Sequence, residues 1–237
     1  MSLSTLLGLF VITGGATTMG SLPLLFHRYI KDSHWDWWES FGGGVMMSAA
    51  LFSLLLPAIE IGSVVEILSG VFSGIIFIFA MTLFIKKVTE NVRHQRAYLF
   101  VFVMGLHNIP EGLAVGVDVA AIGWQKSLPL TVAIFIQNLP EGLAAAMSFL
   151  ISGFALNKAL LANGITAAIE TLSAVLGYTF IHHARLNLPY LLSFAGACMF
   201  AVVAREIFIK VRVEKKNVST PGFLVGVLLC ALLDLVL

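Results

Sequence analysis

Two segments thirty residues apart carry the same motif, HNIPEGLAVG at residues 107–116 and QNLPEGLAAA at residues 137–146. Each copy lies in a long apolar run, yet it contains a proline, a glutamate and an amide side chain. An intramembrane carboxylate costs at least about 2.5 to 3.5 kcal/mol even on the lenient insertion scale. Its repetition at a fixed spacing therefore indicates that the chain uses these residues for a specific purpose.

The composition around the motif is that of an integral membrane protein. Of the 237 residues, 59% are hydrophobic and 11% are charged, whereas soluble domains contain roughly 25% charged residues. A membrane-spanning helix needs about 20 mostly apolar residues, and the chain offers eight such runs. They lie near residues 3–26, 41–59, 64–85, 97–122, 127–152, 159–181, 188–209 and 221–237. We therefore expect an all-α fold in which residues 1–237 form a single domain of eight transmembrane helices.

Basic residues between the predicted spans indicate the orientation in the membrane. Eleven fall in connections one–two, three–four, five–six and seven–eight, and two fall in the other three connections. The eleven are Arg28, Lys31, Lys86, Lys87, Arg93, Arg96, Lys158, Lys210, Arg212, Lys215 and Lys216. Because basic loops stay in the cytoplasm, both termini are expected on the outer side. The net charge of +1 offers no basic surface for nucleic acid.

The N-terminal segment and the two cysteines have simple interpretations. The N-terminal segment MSLSTLLGLF has no basic region before its apolar run, so we expect no cleaved signal peptide. Cys198 and Cys230 both fall within predicted spans, where a thiol usually serves as a small packing residue.

Several acidic side chains lie inside the predicted spans with few cations to pair with. They are Glu111, Asp118, Glu141, Glu170 and Glu206, and Arg205 is the one basic residue predicted in a span interior. Acidic side chains inside a membrane are tolerated when they pair with another group or have a functional role such as binding an ion. A bound cation is therefore the simplest missing partner.

Helical spacing gathers the polar residues of each motif on one face. His107 and Glu111 are four residues apart, and Gln137 and Glu141 repeat this spacing on the next helix. The proline in each motif removes a backbone hydrogen bond and exposes a carbonyl oxygen one turn before the glutamate. Consecutive spans run antiparallel, so the repeat implies a pseudo-two-fold axis in the membrane plane, as in inverted-repeat transporters.

The sixth predicted span adds a third polar element, with Thr166 and Glu170 on one face and Ser173 one turn further. Imidazole, carboxylate and amide groups form a borderline ligand set that suits zinc, iron(II), cobalt and manganese better than copper(I). This set does not select among those metals.

The paired motifs resemble those of the ZIP (Zrt/Irt-like) family of divalent metal transporters, and in particular its GufA-like bacterial branch. The resemblance covers nearly the whole chain. It implies a two-metal centre formed by His107, Asn108, Glu111, Gln137, Asn138 and Glu141, with Glu170 completing the shell of the second metal. Met46 or Met47 resembles a soft extra ligand of the first metal in the family, and Met46 is favoured.

The same resemblance implies a transporter and not an enzyme. The implied transporter moves Zn²⁺ toward the cytoplasm across a bacterial inner membrane. Fe²⁺, Mn²⁺, Co²⁺ and Cd²⁺ are further candidate substrates. The chain departs from the family at Asn138, where some relatives carry aspartate, so binding of the second metal is in question. Divalent ions and the lipid bilayer are the expected partners, and the oligomeric state stays open, a homodimer included.

Other polar residues have simpler interpretations. Glu206 pairs with Arg205 or contacts metal, and these readings are evenly balanced. Asp118, Glu60 and Glu66 could attract cations at the mouth, although end caps are favoured for the last two. Four histidines and three tryptophans are expected at the membrane interface, namely His27, His34, His182, His183, Trp35, Trp37 and Trp38.

Two alternative functions stay open. One is a cation exchanger with its own inverted P-E repeats, although an imidazole ligand favours a transition metal over Ca²⁺. The other is an intramembrane metal-dependent hydrolase, against which stands the lack of an H-E-x-x-H motif and of a readable nucleophile and base pair.

Overall fold

The computed structural model describes residues 3–29, 35–208 and 218–236, and every regular element in these ranges is a helix. Helix α1 is Leu3–Gly20, followed by a 3₁₀ segment at Leu22–Tyr29. Helix α2 comprises an α-helical part Trp35–Ser48, a π-helical part Ala49–Leu55 and a final turn Leu56–Ile61. The others are α3 (Val64–Val88), α4 (Val92–Ile122), α5 (Leu128–Ile151), α6 (Leu156–Thr179), α7 (Ile181–Phe208) and α8 (Thr220–Val236).

The all-helical membrane fold predicted from the sequence is confirmed, but the count of eight spans is not. Within the described ranges, seven helices are long and apolar enough to cross a membrane, and Thr220–Leu232 is a shorter apolar helix. Some predicted bounds differ from the observed helices: α4 starts at Val92 and not at residue 97, so its first turns contain Arg93 and Arg96. Five of the residues behind the orientation argument (Lys31, Lys210, Arg212, Lys215 and Lys216) and also His34 lie outside the described residues.

Local side chains cap the N-terminal ends of α3 and α4. The α2–α3 connection ends at Ser63, whose side chain accepts a hydrogen bond from the Glu66 backbone N–H, while the Glu66 carboxylate accepts one from the Ser63 N–H at 2.8 Å. This reciprocal pair is a capping box, and the predicted role of Glu66 as a helix cap is confirmed. Asn91 caps α4 by accepting from the N–H groups of Arg93 and His94.

The helices pack as two groups of four. Group one contains α1, α4, α5 and α6, with α6 packed against α4 and α1 packed against both α5 and α6. Group two contains α2, α3, α7 and α8, with α2 packed against α8 and α3 against α7. The groups meet mainly where α4 packs on α7 and α5 packs on α2.

The pairing of helices follows the pattern expected of an inverted repeat. Exchanging α4 with α5, α1 with α6, α2 with α7 and α3 with α8 converts the α4–α6 contact into the α5–α1 contact. The same exchange converts α2–α8 into α7–α3, and both of these pairs are extensively packed. The repeated motif thus lies on the two helices that the symmetry places at its centre.

Glycines allow the backbones within each group to approach closely. A Cβ atom built on Gly112 or Gly116 of α4 would lie 2.2 Å and 2.0 Å from carbonyl oxygens of α6. In group two, a Cβ on Gly74 of α3 would lie 2.6 Å from a carbonyl oxygen of α7, and one on Gly226 of α8 would lie 2.2 Å from a carbonyl oxygen of α2. Small residues of this kind let membrane helices pack by direct backbone contact. Each group is therefore closely packed internally.

We predict that Gly116→Ala destabilises the protein, because the added methyl would meet Ala174 O at 2.0 Å and force α4 away from α6. Overpacking of this kind costs about 1 to 3 kcal/mol, and the thermal midpoint in detergent should fall. The matched control is Gly164→Ala in α6, whose Cβ would meet nothing within 4 Å. An equal effect of the two substitutions would contradict the assigned packing.

Candidate metal centre

The two motifs lie at the middle of α4 and α5, and both helices continue through their internal prolines Pro110 and Pro140. The polar side chains of both motifs are buried: they are His107, Asn108, Glu111, Gln137, Asn138 and Glu141. Glycine follows each glutamate, and Gly142 allows α1 to pack directly on α5, because a Cβ there would lie 1.9 Å from Thr17 O. The local sequence therefore combines polar side chains with a backbone that neighbouring helices can cover closely.

One cluster joins the imidazole to both glutamates. His107 Nε2 lies 3.2 Å from Glu111 Oε1 and 3.1 Å from Glu141 Oε2. One ligand atom from each of these three residues lies within 4.8 Å of the others. An imidazole nitrogen and carboxylate oxygens gathered at this spacing could hold a Zn²⁺-sized ion.

Gln137 completes the same cluster from the other motif. Its Nε2 donates to Glu111 Oε1 at 3.1 Å and to Glu141 Oε1 at 3.0 Å. His107 and Gln137 hold equivalent positions in the two motifs, and each contacts both glutamates at nearly equal distances. The site therefore follows the internal pseudo-symmetry, as the sequence predicted for two antiparallel copies.

A second cluster is centred on Glu170 of α6, which is buried and receives the amides of both motifs. Asn138 Nδ2 lies 2.9 Å from each carboxylate oxygen of Glu170, and Asn108 Nδ2 lies 3.3 Å from Oε2. The same amides also donate to backbone carbonyls, Asn138 to Thr13 O of α1 at 3.2 Å and Asn108 to Thr166 O of α6 at 3.1 Å. Four helices thus meet at this cluster.

Two buried acceptor atoms in these clusters make no hydrogen bond to the described part of the chain. They are Asn108 Oδ1 and Asn138 Oδ1. A buried acceptor without a partner costs free energy. Such atoms, on residues that also contact the glutamates, are suitable ligands for a hard or borderline cation.

The clusters concentrate acidic groups in a protein interior. Glu111, Glu141 and Glu170 are each at most 3% exposed. The imidazole of His107 forms ion pairs with both Glu111 and Glu141. Several carboxylates that share a buried site repel one another, so a divalent cation would offset the cost of burying them.

Met46 and Asp118 are two further residues that the sequence singles out. Met46 of α2 is fully buried in an apolar cluster that includes Met104, Ala144 and Ala145. Its proposed role as a ligand stays a prediction. Asp118 lies on α4 and is partly buried.

Glu206 participates in a charged cluster outside the motifs. It pairs with Arg205, whose Nη1 lies 3.1 Å from Glu206 Oε1, and with Arg96 Nε. The sequence does not predict Arg96 as a partner of Glu206, because the apolar run begins near residue 97 and leaves Arg96 in the connection before it. If the helix is extended back from His107, Arg96 lies on the same face, because eleven residues correspond to about three turns. This periodicity could have indicated that Arg96 belongs to the helix.

Asn163 of α6 is another buried polar residue whose contacts the sequence does not predict. Its Nδ2 donates to Gly142 O at 2.7 Å, to Ser21 Oγ at 3.0 Å and to Thr17 O at 3.3 Å. These bonds join α1, α5 and α6 directly behind the second motif. The nearby sequence ANGIT offers no pattern that would predict them.

Comparison with known proteins gives a consistent result. A family model described as ZIP Zinc transporter matches residues 86–234, which is more than half of the chain. The zinc transporter ZIPB of Bordetella bronchiseptica is 31% identical over 248 positions, covering 95% of this chain and 80% of the relative. The zinc transporter GufA of Myxococcus xanthus is 29% identical over 250 positions, covering 95% and 96%. The zinc transporter ZIP11 of Xenopus tropicalis is 37% identical over 119 positions, which cover 48% of this chain and 35% of the relative.

The range matched by the family model contains both motifs and Glu170. The chain belongs to the ZIP family and is similar to its GufA-like bacterial members.

Proposed function

We propose that the protein is a secondary transporter that moves divalent transition metal ions, Zn²⁺ foremost, across a membrane. The observation that carries the proposal is the buried cluster of His107, Glu111 and Glu141 at the centre of the bundle. The relatives of the chain are named zinc transporters, which favours transport over catalysis. The exchanger and hydrolase alternatives have no comparable support.

The proposed first metal position uses His107 Nε2 with oxygens of Glu111 and Glu141, and Gln137 nearby. Nitrogen and oxygen ligands of this kind suit Zn²⁺, which accepts a tetrahedral shell. Fe²⁺, Mn²⁺, Co²⁺ and Cd²⁺ are further candidates, since geometry and availability select among such ions more than affinity does. Met46 would add a soft ligand from group two if α2 approached the site.

The proposed second position lies between the motif glutamates and Glu170, with Glu111 and Glu141 bridging the two ions. Asn108 and Asn138 direct their Nδ2 groups toward Glu170, whereas their Oδ1 atoms accept no hydrogen bond from described residues. Rotation of an amide by about 180° exchanges its donor for its acceptor. Binding of a second ion would favour the rotated amides, because their oxygens could then serve as ligands.

Release of the ion requires a path, and one large cavity lies at the end of the bundle where α4 begins. It has a volume of about 420 Å³, and Arg93, Glu39 and Ser148 are among the residues that line it. Its lining includes Ala144 of α5, which is three residues, or about 4.5 Å of helix rise, from Glu141. Under the orientation proposed from the basic residues, this cavity faces the cytoplasm.

The proposed cycle moves the two helix groups relative to each other. Both motifs and Glu170 belong to group one, so the metal position would travel or rotate as a unit when that group moves against group two. Capture would occur at the outer side, with both termini outside, and release would occur through the cavity into the cytoplasm of a bacterial cell. We propose one domain over residues 1–237, with no coupling to ATP, since no Walker motif is present.

We predict that Glu111→Ala and Glu141→Ala abolish Zn²⁺ uptake by proteoliposomes, and that Glu170→Ala lowers it. Each substitution removes a carboxylate from the buried clusters, and the first two leave His107 without one of its acidic partners. The measurement is the initial rate of uptake, with bound zinc per protein determined on the same samples.

The matched control is Glu60→Gln, which removes an exposed carboxylate at the end of α2. It should transport zinc at the rate of the wild type. Unchanged zinc flux in both Glu111→Ala and Glu141→Ala would remove the proposed pathway. Obligatory counter-transport of Na⁺ or H⁺ would favour the exchanger.

We predict that Asn138→Asp lowers the thermal midpoint of the metal-free protein. The substitution replaces a donor 2.9 Å from both Glu170 oxygens by a carboxylate, so like charges meet in a buried place. Added Zn²⁺ should raise the midpoint more in this variant than in the wild type, because a ligand stabilises the state to which it binds more tightly.

Asn163→Asp provides the control, since it also converts a buried amide of group one into a carboxylate. Asn163 Nδ2 donates to Gly142 O and Ser21 Oγ. It should lower the midpoint without any added response to zinc. If zinc stabilised both variants equally, the second metal position would not lie beside Asn138.

A further inference from the structure

A charged cluster at the mouth of the cavity connects the two helix groups. Arg96 belongs to α4 of group one, whereas Glu39 belongs to α2 and Glu206 to α7, both of group two. Arg96 Nη2 lies 3.1 Å from Glu39 Oε1, and Arg96 Nε donates to Glu206 Oε2. One guanidinium thus bridges carboxylates on two helices of the opposite group.

The surroundings of this cluster make its ion pairs stronger than ordinary surface pairs. The side chain of Arg96 is 13% exposed, and those of Glu39 and Glu206 are 27% and 19% exposed. Exposed ion pairs contribute little, because water screens them. Water screens the ion pairs of a shielded arginine much less. The planar guanidinium also has enough N–H donors to bond two carboxylates.

The position of the cluster relates it to the path of the ion. All three side chains line the cavity whose walls include Ala144. The ion pairs of His107 with the motif glutamates lie within group one, and that of Arg205 with Glu206 lies within α7. The ion pairs of Arg96 therefore depend on the relative position of the two helix groups. The ion pairs within one group do not depend on it.

We propose that Arg96, Glu39 and Glu206 form an ionic latch that holds the two helix groups in the state whose cavity is open at this end. The inference rests on the proposed transport cycle and adds a positioning residue to it. In the present structure the latch is closed while the cavity is formed. Movement of group one against group two separates α4 from α2 and α7, so the latch must break before the cavity closes.

The latch sets the balance between the two states of the cycle. Closing the cavity breaks the ion pairs of Arg96 with both carboxylates. Glu39 and Glu206 of group two then lose their partner from α4. Removing the guanidinium takes this cost away and shifts the population toward the state without the cavity. The metal ligands themselves are unchanged by such a substitution.

A thiol reporter in the cavity tests the proposal. Ser148 of α5 lines the cavity, and the two native cysteines, both buried, are replaced by alanine in the parent protein. The reporter is Ser148→Cys, and its rate of reaction with a membrane-impermeant maleimide is measured in metal-free inside-out vesicles. Arg96→Gln should lower this rate about five-fold or more, the effect of a partly shielded ion pair.

Control variants separate the latch from the local charge. Arg93→Gln removes the same charge from the same cavity wall, and Arg93 forms no ion pair with another described residue. The labelling rate of this variant should equal that of the parent. Arg96→Lys keeps the charge without the planar fork and should give an intermediate rate. Glu39→Gln and Glu206→Gln should each lower the rate less than Arg96→Gln and should have no further effect when combined with it.

Two results would overturn the latch. One is an unchanged rate in Arg96→Gln, and the other is an equal decrease in Arg93→Gln. Complete labelling of every variant after denaturation, together with an unaltered elution volume in detergent, verifies that the protein is intact. Because no metal is present, the labelling rates are independent of zinc flux. Failure of the transport proposal would be seen in zinc uptake by Glu111→Ala and Glu141→Ala and not in the labelling rates.

Discussion

The structure depends on burying three glutamates among four helices of a membrane protein. Glu111 and Glu141 share His107 and Gln137, and Glu170 receives the amides of Asn108 and Asn138. Each of these contacts compensates part of the cost of removing a carboxylate from water. The remaining negative charge is best compensated by a cation, and this requirement links the fold to metal transport.

Pseudo-symmetry explains how one short motif satisfies that requirement twice. On antiparallel helices, the first and fifth residues of one copy meet the fifth and first residues of the other, so His107 contacts Glu141 and Gln137 contacts Glu111. The departures from symmetry are chemically meaningful. The imidazole stands in one copy and an amide in the other, which gives the two sides of the cluster different ligand strengths.

Much of this could be predicted from the sequence, because membrane helices and their polar interruptions follow simple rules of length and spacing. The all-helical fold and the grouping of the motif side chains follow from apolar runs and from four-residue spacing. The donation of Asn138 to Glu170 could not be predicted, since it depends on how α5 and α6 pack. The basic residues before the apolar run predict a loop that contains Arg96, whereas α4 begins at Val92 and includes this residue. The contacts of Asn163 with α1 and α5 depend on three helices and leave no local pattern.

The central claim is that the buried imidazole and carboxylates coordinate the transported ion directly. Zinc-edge X-ray absorption of the purified protein with one equivalent of Zn²⁺ tests it most directly. We predict a first shell of nitrogen and oxygen atoms at about 2.0 to 2.2 Å, with the outer-shell scattering of one imidazole that is lost in His107→Ala. A shell of water oxygens alone, or one dominated by thiolate sulfur, would contradict the account.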